Sequence, residues 1–138
     1  MQVNQAMSRD VRIARPQQPI REIAKIMADA DIGSLPVGDD DRLVGMITDR
    51  DIAVRGVAQG LGPDTPVSKV MTSDVKYCFD DEDIEQVAQN LAKEQLHRLP
   101  VLNRDKQLVG ILALADLANN DRDGAAATEV EGISRPTT

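Results

Sequence analysis

The chain repeats itself, and that limits its possible folds more than any other feature. Met7-Ser-Arg-Asp-Val11 returns as Met71-Thr-Ser-Asp-Val75, 64 residues on. Ile20-Arg-Glu-Ile-Ala24 returns as Ile84-Glu-Gln-Val-Ala88, and Leu35-Pro-Val37 as Leu99-Pro-Val101, at the same offset of 64. Leu43-Val-Gly45 and Asp51-Ile-Ala53 return 65 residues on, as Leu108-Val-Gly110 and Asp116-Leu-Ala118, so one residue has entered a turn. Five anchors in unchanged order mean a duplicated structural unit.

Both copies carry the same local signals. A short extended segment (11–14, then 75–79) leads into a helix, Ile20–Ala30 or Ile84–Gln95. Ile20, Ile23, Ala24 and Met27 form an apolar stripe at helical spacing, repeated by Ile84, Val87, Ala88 and Leu91. Two strands follow, Leu35–Val37 with Leu43–Ile47 and Leu99–Leu102 with Gln107–Leu112. Asp- and Asn-rich turns join them. A closing helix starts near Asp49 and near Leu114. A unit this small buries only about 60% of its unfolded surface, so two copies are expected to share one core. The fold class is α/β (α+β): two β-α-β-β-α repeats packed sheet to sheet in a pseudo-two-fold arrangement. The repeats are placed at 1–60 and 61–119, with Gly60-Leu-Gly-Pro-Asp-Thr-Pro66 as connecting loop. Residues 120–138, rich in Asp, Gly, Ala and Thr, read as a mobile tail.

Composition removes several functions. The 138 residues hold 16 Lys and Arg against 23 Asp and Glu, a net charge of −7, which opposes binding to nucleic acid or to an anionic membrane. There is no Trp, and Tyr77 and Phe79 are the only benzene rings, so base stacking lacks platforms. One cysteine, Cys78, and one histidine, His97, supply neither a disulfide nor a four-ligand zinc site. No apolar run approaches a membrane span. The opening Met1-Gln-Val-Asn-Gln-Ala-Met7 has neither the basic nor the apolar region of a signal peptide. A cytoplasmic location is expected. Asp39-Asp-Asp41 reads as turn chemistry and Asp80-Asp-Glu-Asp83 as a helix start, rather than as metal sites. Cys78 reads as a buried strand thiol, not a nucleophile.

Two stretches carry chemistry. Gly45-Met-Ile-Thr-Asp-Arg-Asp51 is a strand end, a hydroxyl and a helix start with an acid three residues on. One reading is a capping box between Thr48 and Asp51. The other is a ligand site: free N–H groups and the Thr48 hydroxyl for phosphate, Asp51 for both hydroxyls of a ribose, Gly45 for close approach. In the second copy Asp116 keeps the acid while Ala113 replaces the hydroxyl. The other stretch is Gln95-Leu-His-Arg-Leu-Pro-Val101, where His97 and Arg98 precede a buried strand. They read either as a solvated edge or as a cationic phosphate contact through Arg98. No nucleophile elbow, P-loop or catalytic constellation is present, so no catalytic residues are expected.

These motifs together strongly resemble a tandem pair of cystathionine-β-synthase (CBS) domains, a Bateman module, over about residues 3–119. The shared features are Met-Ser/Thr-x-x-Val openings, Leu-Pro-Val before the second strand and Gly-h-h-Thr-x-x-Asp at the close, where h is apolar. The resemblance implies a stand-alone regulatory module with clefts between the repeats that bind AMP, ATP, NAD-type or related adenine ligands. No cofactor is required. On this resemblance Thr48 meets phosphate, and Asp51 and Asp116 meet ribose. His97 and Arg98, in a segment similar to one in the gamma subunit of AMP-activated kinase, face the nucleotide held by Asp51. Gly33 and Ser34, aligned with that pair, would face the Asp116 cleft, which is therefore the weaker one. Adenine would lie against Ile13, Ala14, Leu35 and Pro36 in the first cleft, and against Tyr77, Cys78 and Leu99 in the second. The resemblance also implies a homodimer formed through helices near Ile52–Val57 and Leu114–Ala118, with an unidentified regulated partner. The alternative is a ligand-independent dimerisation module with degenerate clefts.

Overall fold

The computed structural model describes residues 1–113. The helix expected from Leu114, Asp116 and the tail lie outside the described residues.

Two compact units form, and they do not follow the order of the repeats. One is Arg12–Val75; the other joins Met1–Val11 to the described residues from Lys76 on. In the first unit helix α1 (Ile20–Ala30) precedes strands β1 (Ser34–Asp39) and β2 (Arg42–Thr48). These strands pair antiparallel, with Leu35 opposite Ile47 and Val37 opposite Gly45, and a bulge follows Val37. Ala14 pairs in parallel with Val37 on one edge, and Thr72 pairs antiparallel with Met46 on the other. The second unit repeats the plan. Strand β3 (Cys78–Phe79), helix α2 (Ile84–Glu94), and strands β4 (Arg98–Leu102) and β5 (Leu108–Ala113) give the order β3-β4-β5. The bulge recurs after Val101, and Ser8 pairs with Ile111.

The opening segment of each repeat thus completes the unit built on the other repeat. Val3 N–H donates to the Glu82 carbonyl, Asn4 N–H to that of Asp80, and Ile84 N–H to that of Met1, at 2.9–3.0 Å. Val67 N–H to Gln18, Ser68 N–H to Pro16 and Ile20 N–H to Thr65 reproduce these bonds 64 residues away, at 2.8–3.0 Å. In each unit one helix-start donor, Ile84 N–H or Ile20 N–H, thus finds its acceptor in a carbonyl of the opening segment, Met1 or Thr65. Two glycines permit the approach. A Cβ on Gly45 would lie 2.9 Å from the Thr72 carbonyl oxygen, and one on Gly110 2.9 Å from that of Ser8. Gly45 therefore serves the pairing of β2 with Met71 and Thr72, where the sequence suggested room for a ligand.

The stripes on the helices point into these cores. Ile20, Ile23 and Met27 pack with Leu35, Val37, Ile47, Val67 and Val70. Ile84, Val87, Ala88 and Leu91 pack with Val3, Met7, Cys78, Leu99, Val101 and Leu112. Ala24 departs from its expected place and is exposed, because Ile26 takes the flank of the α1 stripe. Both helices end on left-handed residues, Asp31 at φ 54° and Gln95 at φ 56°, again 64 apart. The first closing helix is less regular than expected. After Asp49 and Arg50 it runs as a wide π-type helix over Asp51–Gly56, then a tight turn over Val57–Gln59. Gly56 is its buried residue, against Ile20 and Val70. Among the described residues no helix is long and apolar enough to cross a membrane.

Candidate functional site

Strand β2 ends at Thr48 and turns at once into helix. Thr48 N–H donates to Asp51 Oδ2 at 3.0 Å, and Asp51 N–H donates to Thr48 Oγ1 at 3.0 Å. That reciprocal pair is a capping box. Inside it, Asp49 N–H donates to the Gly33 carbonyl at 3.0 Å, and Arg50 N–H to Asp49 Oδ1 at 2.8 Å. Four successive N–H groups, Thr48 to Asp51, therefore have acceptors within the chain. The expectation of free N–H groups for an anion is corrected here: the side chains of Thr48, Asp49 and Asp51, with the Gly33 carbonyl, take those donors. The box leaves over the Thr48 hydroxyl proton and Asp51 Oδ1. The first can donate to a phosphate oxygen, and the second can accept from a sugar hydroxyl, with neither cap bond broken.

Asp51 has a further neighbour outside the motif. Arg55 Nη1 lies 4.0 Å from Asp51 Oδ1 and donates to the Met71 carbonyl at 3.2 Å and to Thr72 Oγ1 at 3.4 Å. The Asp51 side chain is 13% exposed and that of Arg55 52%. The sequence expectations omit Arg55, although its signal is legible: an acid followed four residues later by Arg is a helix-face pair.

Ser34 stands opposite Thr48 in the β1–β2 ladder. A Cβ on Gly33 would lie 3.2 Å from Asp49 Oδ2. Gly33 and Ser34 thus border Thr48 in this unit, whereas their expected partner Asp116 lies outside the described residues. Of the four residues expected to wall the first cleft, Ala14, Leu35 and Pro36 are buried. Ala14 and Leu35 are core members beside Ile23 and Ile47. Only Ile13 keeps an exposed side chain, seated over Gly38. Core packing engages the side chains of Ala14 and Leu35.

In the other unit His97 and Arg98 stand half-buried at the entrance of β4, with Arg98 opposite Ala113. Neither side chain has a hydrogen-bond or ion-pair partner among the described residues. Tyr77 is exposed and meets Phe79 edge-on, ring centroids 5.6 Å apart. Arg104 lies 4.1 Å over the Phe79 ring and forks onto Asp81 at 2.7–3.0 Å, which pins the β4–β5 turn beside β3. Leu99 and Cys78 are buried in the core. Burial, then Glu82 and Asp80, push the Cys78 thiol up to about 12. A thiol held protonated is a poor nucleophile and a poor metal ligand. Asp39 ends β1 and Asp40 and Asp41 form the β1–β2 turn, with Asp40 at φ 56°, and Asp83 caps α2 by accepting from Glu85 N–H. Among the described residues no group of three or more His, Cys, Asp or Glu is placed to hold a metal ion.

Comparison with known proteins follows the duplication. The family model described as the CBS domain matches residues 3–56 and again 67–123. The CBS domain-containing protein YhcV of Bacillus subtilis is 39% identical over 132 residues, covering 93% of this chain and 94% of that protein. Hypoxic response protein 1 of Mycobacterium tuberculosis is 36% identical, covering 94% and 92%. A crystal structure of Hypoxic Response Protein I with two coordinated zinc ions superposes with a TM-score of 0.78 at 33% identity, over 88% of this chain and 99% of that one. The described residues of this chain do not fit such ions: the one cysteine is buried and protonated, and no ligand cluster forms among them. The CBS domain pair of protein MJ0100, in complex with 5-methylthioadenosine and S-adenosyl-L-methionine, superposes with a TM-score of 0.73 at 30% identity, over 86% and 94%.

Proposed function

This chain belongs to the CBS-domain family, with two copies of the domain, and from that premise we propose that it is a non-catalytic regulatory module that binds an adenine nucleotide of the AMP, ATP or NAD type. The observation that carries the reading is the Thr48–Asp51 box, whose spare hydroxyl proton and spare carboxylate oxygen match a phosphate and a ribose. Two further facts support an adenosine-bearing ligand: the family membership, and a 30% identical pair that holds two adenosine derivatives.

Asp51 takes the ribose hydroxyls and Thr48 a phosphate oxygen. His97 and Arg98 are the cations proposed to balance that phosphate, on the family resemblance. They answer a need: with four turn N–H groups engaged and a chain net charge of −7, an anion requires cationic side chains. Asp116 holds the weaker second site, with Ala113 in place of a hydroxyl. The protein acts in the cytoplasm on a regulated partner, as a homodimer through the exposed Val54 and Val57 of the first closing helix. Light scattering that finds a monomer at high concentration refutes the dimer.

A second reading is a dimerisation module that binds no ligand. One observation favours it: the capping box already gives Thr48 and Asp51 a complete structural role. Titration with AMP, ATP and NAD separates the two. A ligand at 100 times its Kd stabilises the fold by about 2.7 kcal/mol. A thermal shift with any one of them, lost in Asp51→Ala, supports the nucleotide module. No shift with all three refutes it.

A further inference from the structure

We propose that Arg55 is a positioning residue that ties the Asp51 carboxylate to the segment Met71–Val75, so that ligand held at Asp51 is felt where the chain leaves this unit. The inference rests on the nucleotide reading of Asp51 and adds a route of transmission to it.

Asp51 has two oxygens with different duties. Oδ2 is committed to Thr48 N–H. Oδ1 faces the guanidinium of Arg55 at 4.0 Å, longer than a direct hydrogen bond. The same Nη1 donates to Met71 O and to Thr72 Oγ1. Thr72 in turn exchanges both main-chain bonds with Met46 at 2.8 Å, so it is the point where the second repeat's opening segment is fastened to β2. The unit ends shortly afterwards: Val75 is its last residue in this stretch, and Lys76 begins the other unit.

Arg55 therefore stands between the one unused oxygen of Asp51 and the last fastened residue before the crossing. A diol that donates to Oδ1 draws electron density from the carboxylate on the side Arg55 faces. The guanidinium then redistributes its donation between Oδ1 and the Met71–Thr72 pair. A planar donor with several N–H groups can hold both partners at once. Coupling of this kind needs a physical link between two sites, and this one runs from the Asp51–Arg55 ion pair through the hydrogen bonds of Arg55 to Met71 and Thr72. In the second copy the residue aligned with Arg55, 65 positions on, is Asn120.

The test uses AMP as the probe with the full chain, comparing wild type, Arg55→Ala, Arg55→Lys and Thr72→Val. Calorimetry gives affinity, and amide exchange reports the N–H groups of Thr48, Asp51, Met46 and Thr72. In wild type, AMP slows exchange at Thr48 and Asp51 and also at Met46 and Thr72. Arg55→Ala weakens AMP roughly tenfold and removes the added protection at Met46 and Thr72 while that at Thr48 and Asp51 persists. Arg55→Lys recovers most of the affinity, because it returns the charge beside Oδ1. Thr72→Val, which leaves Asp51 and Arg55 in place, lowers the added protection at Met46 without the tenfold loss. A merely structural Arg55 would leave affinity and the protection pattern as in wild type, and that result overturns the proposal. AMP protection confined to Thr48 and Asp51 in wild type overturns it too, while sparing the nucleotide reading. Absence of AMP binding to wild type, with ATP and NAD also inert, overturns both.

Discussion

Replacing Thr48 with alanine separates its two roles, because each has its own magnitude and its own ligand dependence. Without ligand, the change removes the acceptor for Asp51 N–H at 3.0 Å and opens the capping box. Loss of a Thr cap costs about 1 kcal/mol, which for a chain of this size lowers Tm by roughly 2–8 °C. With AMP, the change also removes a hydroxyl that donates to a charged phosphate oxygen. A hydrogen bond to a charged group is worth about 1.5–3 kcal/mol, so AMP affinity falls roughly 10- to 100-fold. Adenosine has the ribose and no phosphate, and its affinity should stay within about threefold of wild type. Thr48→Ser keeps the hydroxyl and should restore both stability and AMP affinity. The measurements are urea unfolding of the free protein and calorimetric titration with AMP and adenosine. Equal loss for AMP and adenosine would refute the assignment of Thr48 to phosphate. Loss of stability with AMP affinity unchanged would make Thr48 a cap and nothing more.

Three further outcomes follow from the packing. Gly45→Ala and Gly110→Ala each place a methyl 2.9 Å from a main-chain oxygen that cannot rotate away, and each should cost about 1–3 kcal/mol in urea unfolding; an unchanged midpoint in both refutes the close-approach account. Val3→Ala lies near the start of the sequence yet opens a cavity in the core that holds α2, so it should cost about 1.5–3 kcal/mol and speed amide exchange in Ile84–Glu94 before that in Ile20–Ala30. The reverse order would contradict the exchanged openings. Cys78 has its thiol raised from about 9 to about 12, so the unfolded chain ionises first as pH climbs. Its contribution to stability is whole below about pH 9 and is lost between there and about pH 12. Cys78→Ala should flatten that part of the stability curve, and an alkylating reagent at pH 8 should label wild type only once urea unfolds it.

Most of the secondary structure could be read from the duplication, since helical stripes and paired strands depend on local spacing. Ile84, Val87, Ala88 and Leu91 pack as their spacing implied. Ala24 did not, because a stripe records which residues are apolar and not which flank of a helix a neighbour covers. The exchange of openings was not legible either. Met7 and Met71 look alike in sequence, and only the long-range bonds of Ser8 and Thr72 show which sheet each joins. At the site, Thr48 and Asp51 were visible as a spacing, and both the cap and the spare atoms follow from it. That the N–H groups of Asp49 and Arg50 are taken depends on the Gly33 carbonyl and on an Asp49 rotamer, neither of which a motif encodes. The burial of Ala14 and Leu35 was hidden for the same reason as that of any core residue in a mixed fold: an apolar residue suits an adenine wall and a core equally.

The two copies, compared with each other, separate scaffold from site. Features that both keep have a packing cause on each side: the left-handed ends at Asp31 and Gln95, the bulges after Val37 and Val101, and the glycines facing Thr72 and Ser8. Several of the differences fall on residues of the candidate site. Ser34 opposite Thr48 becomes Arg98 opposite Ala113 at the matching rung. Gly33 becomes His97, exposed Ile13 becomes Tyr77, and Arg55 becomes Asn120. The described members of these pairs lie at strand ends or on the surface. The acid of Asp51 is kept at Asp116, while the hydroxyl and the cations are not matched between the copies, a difference that two unequal binding sites would show. In the nucleotide reading proposed above, that asymmetry makes the first site the one suited to an anionic ligand: the hydroxyl of Thr48 and the cations His97 and Arg98 have no counterparts of the same chemistry at Ala113, Gly33 and Ser34.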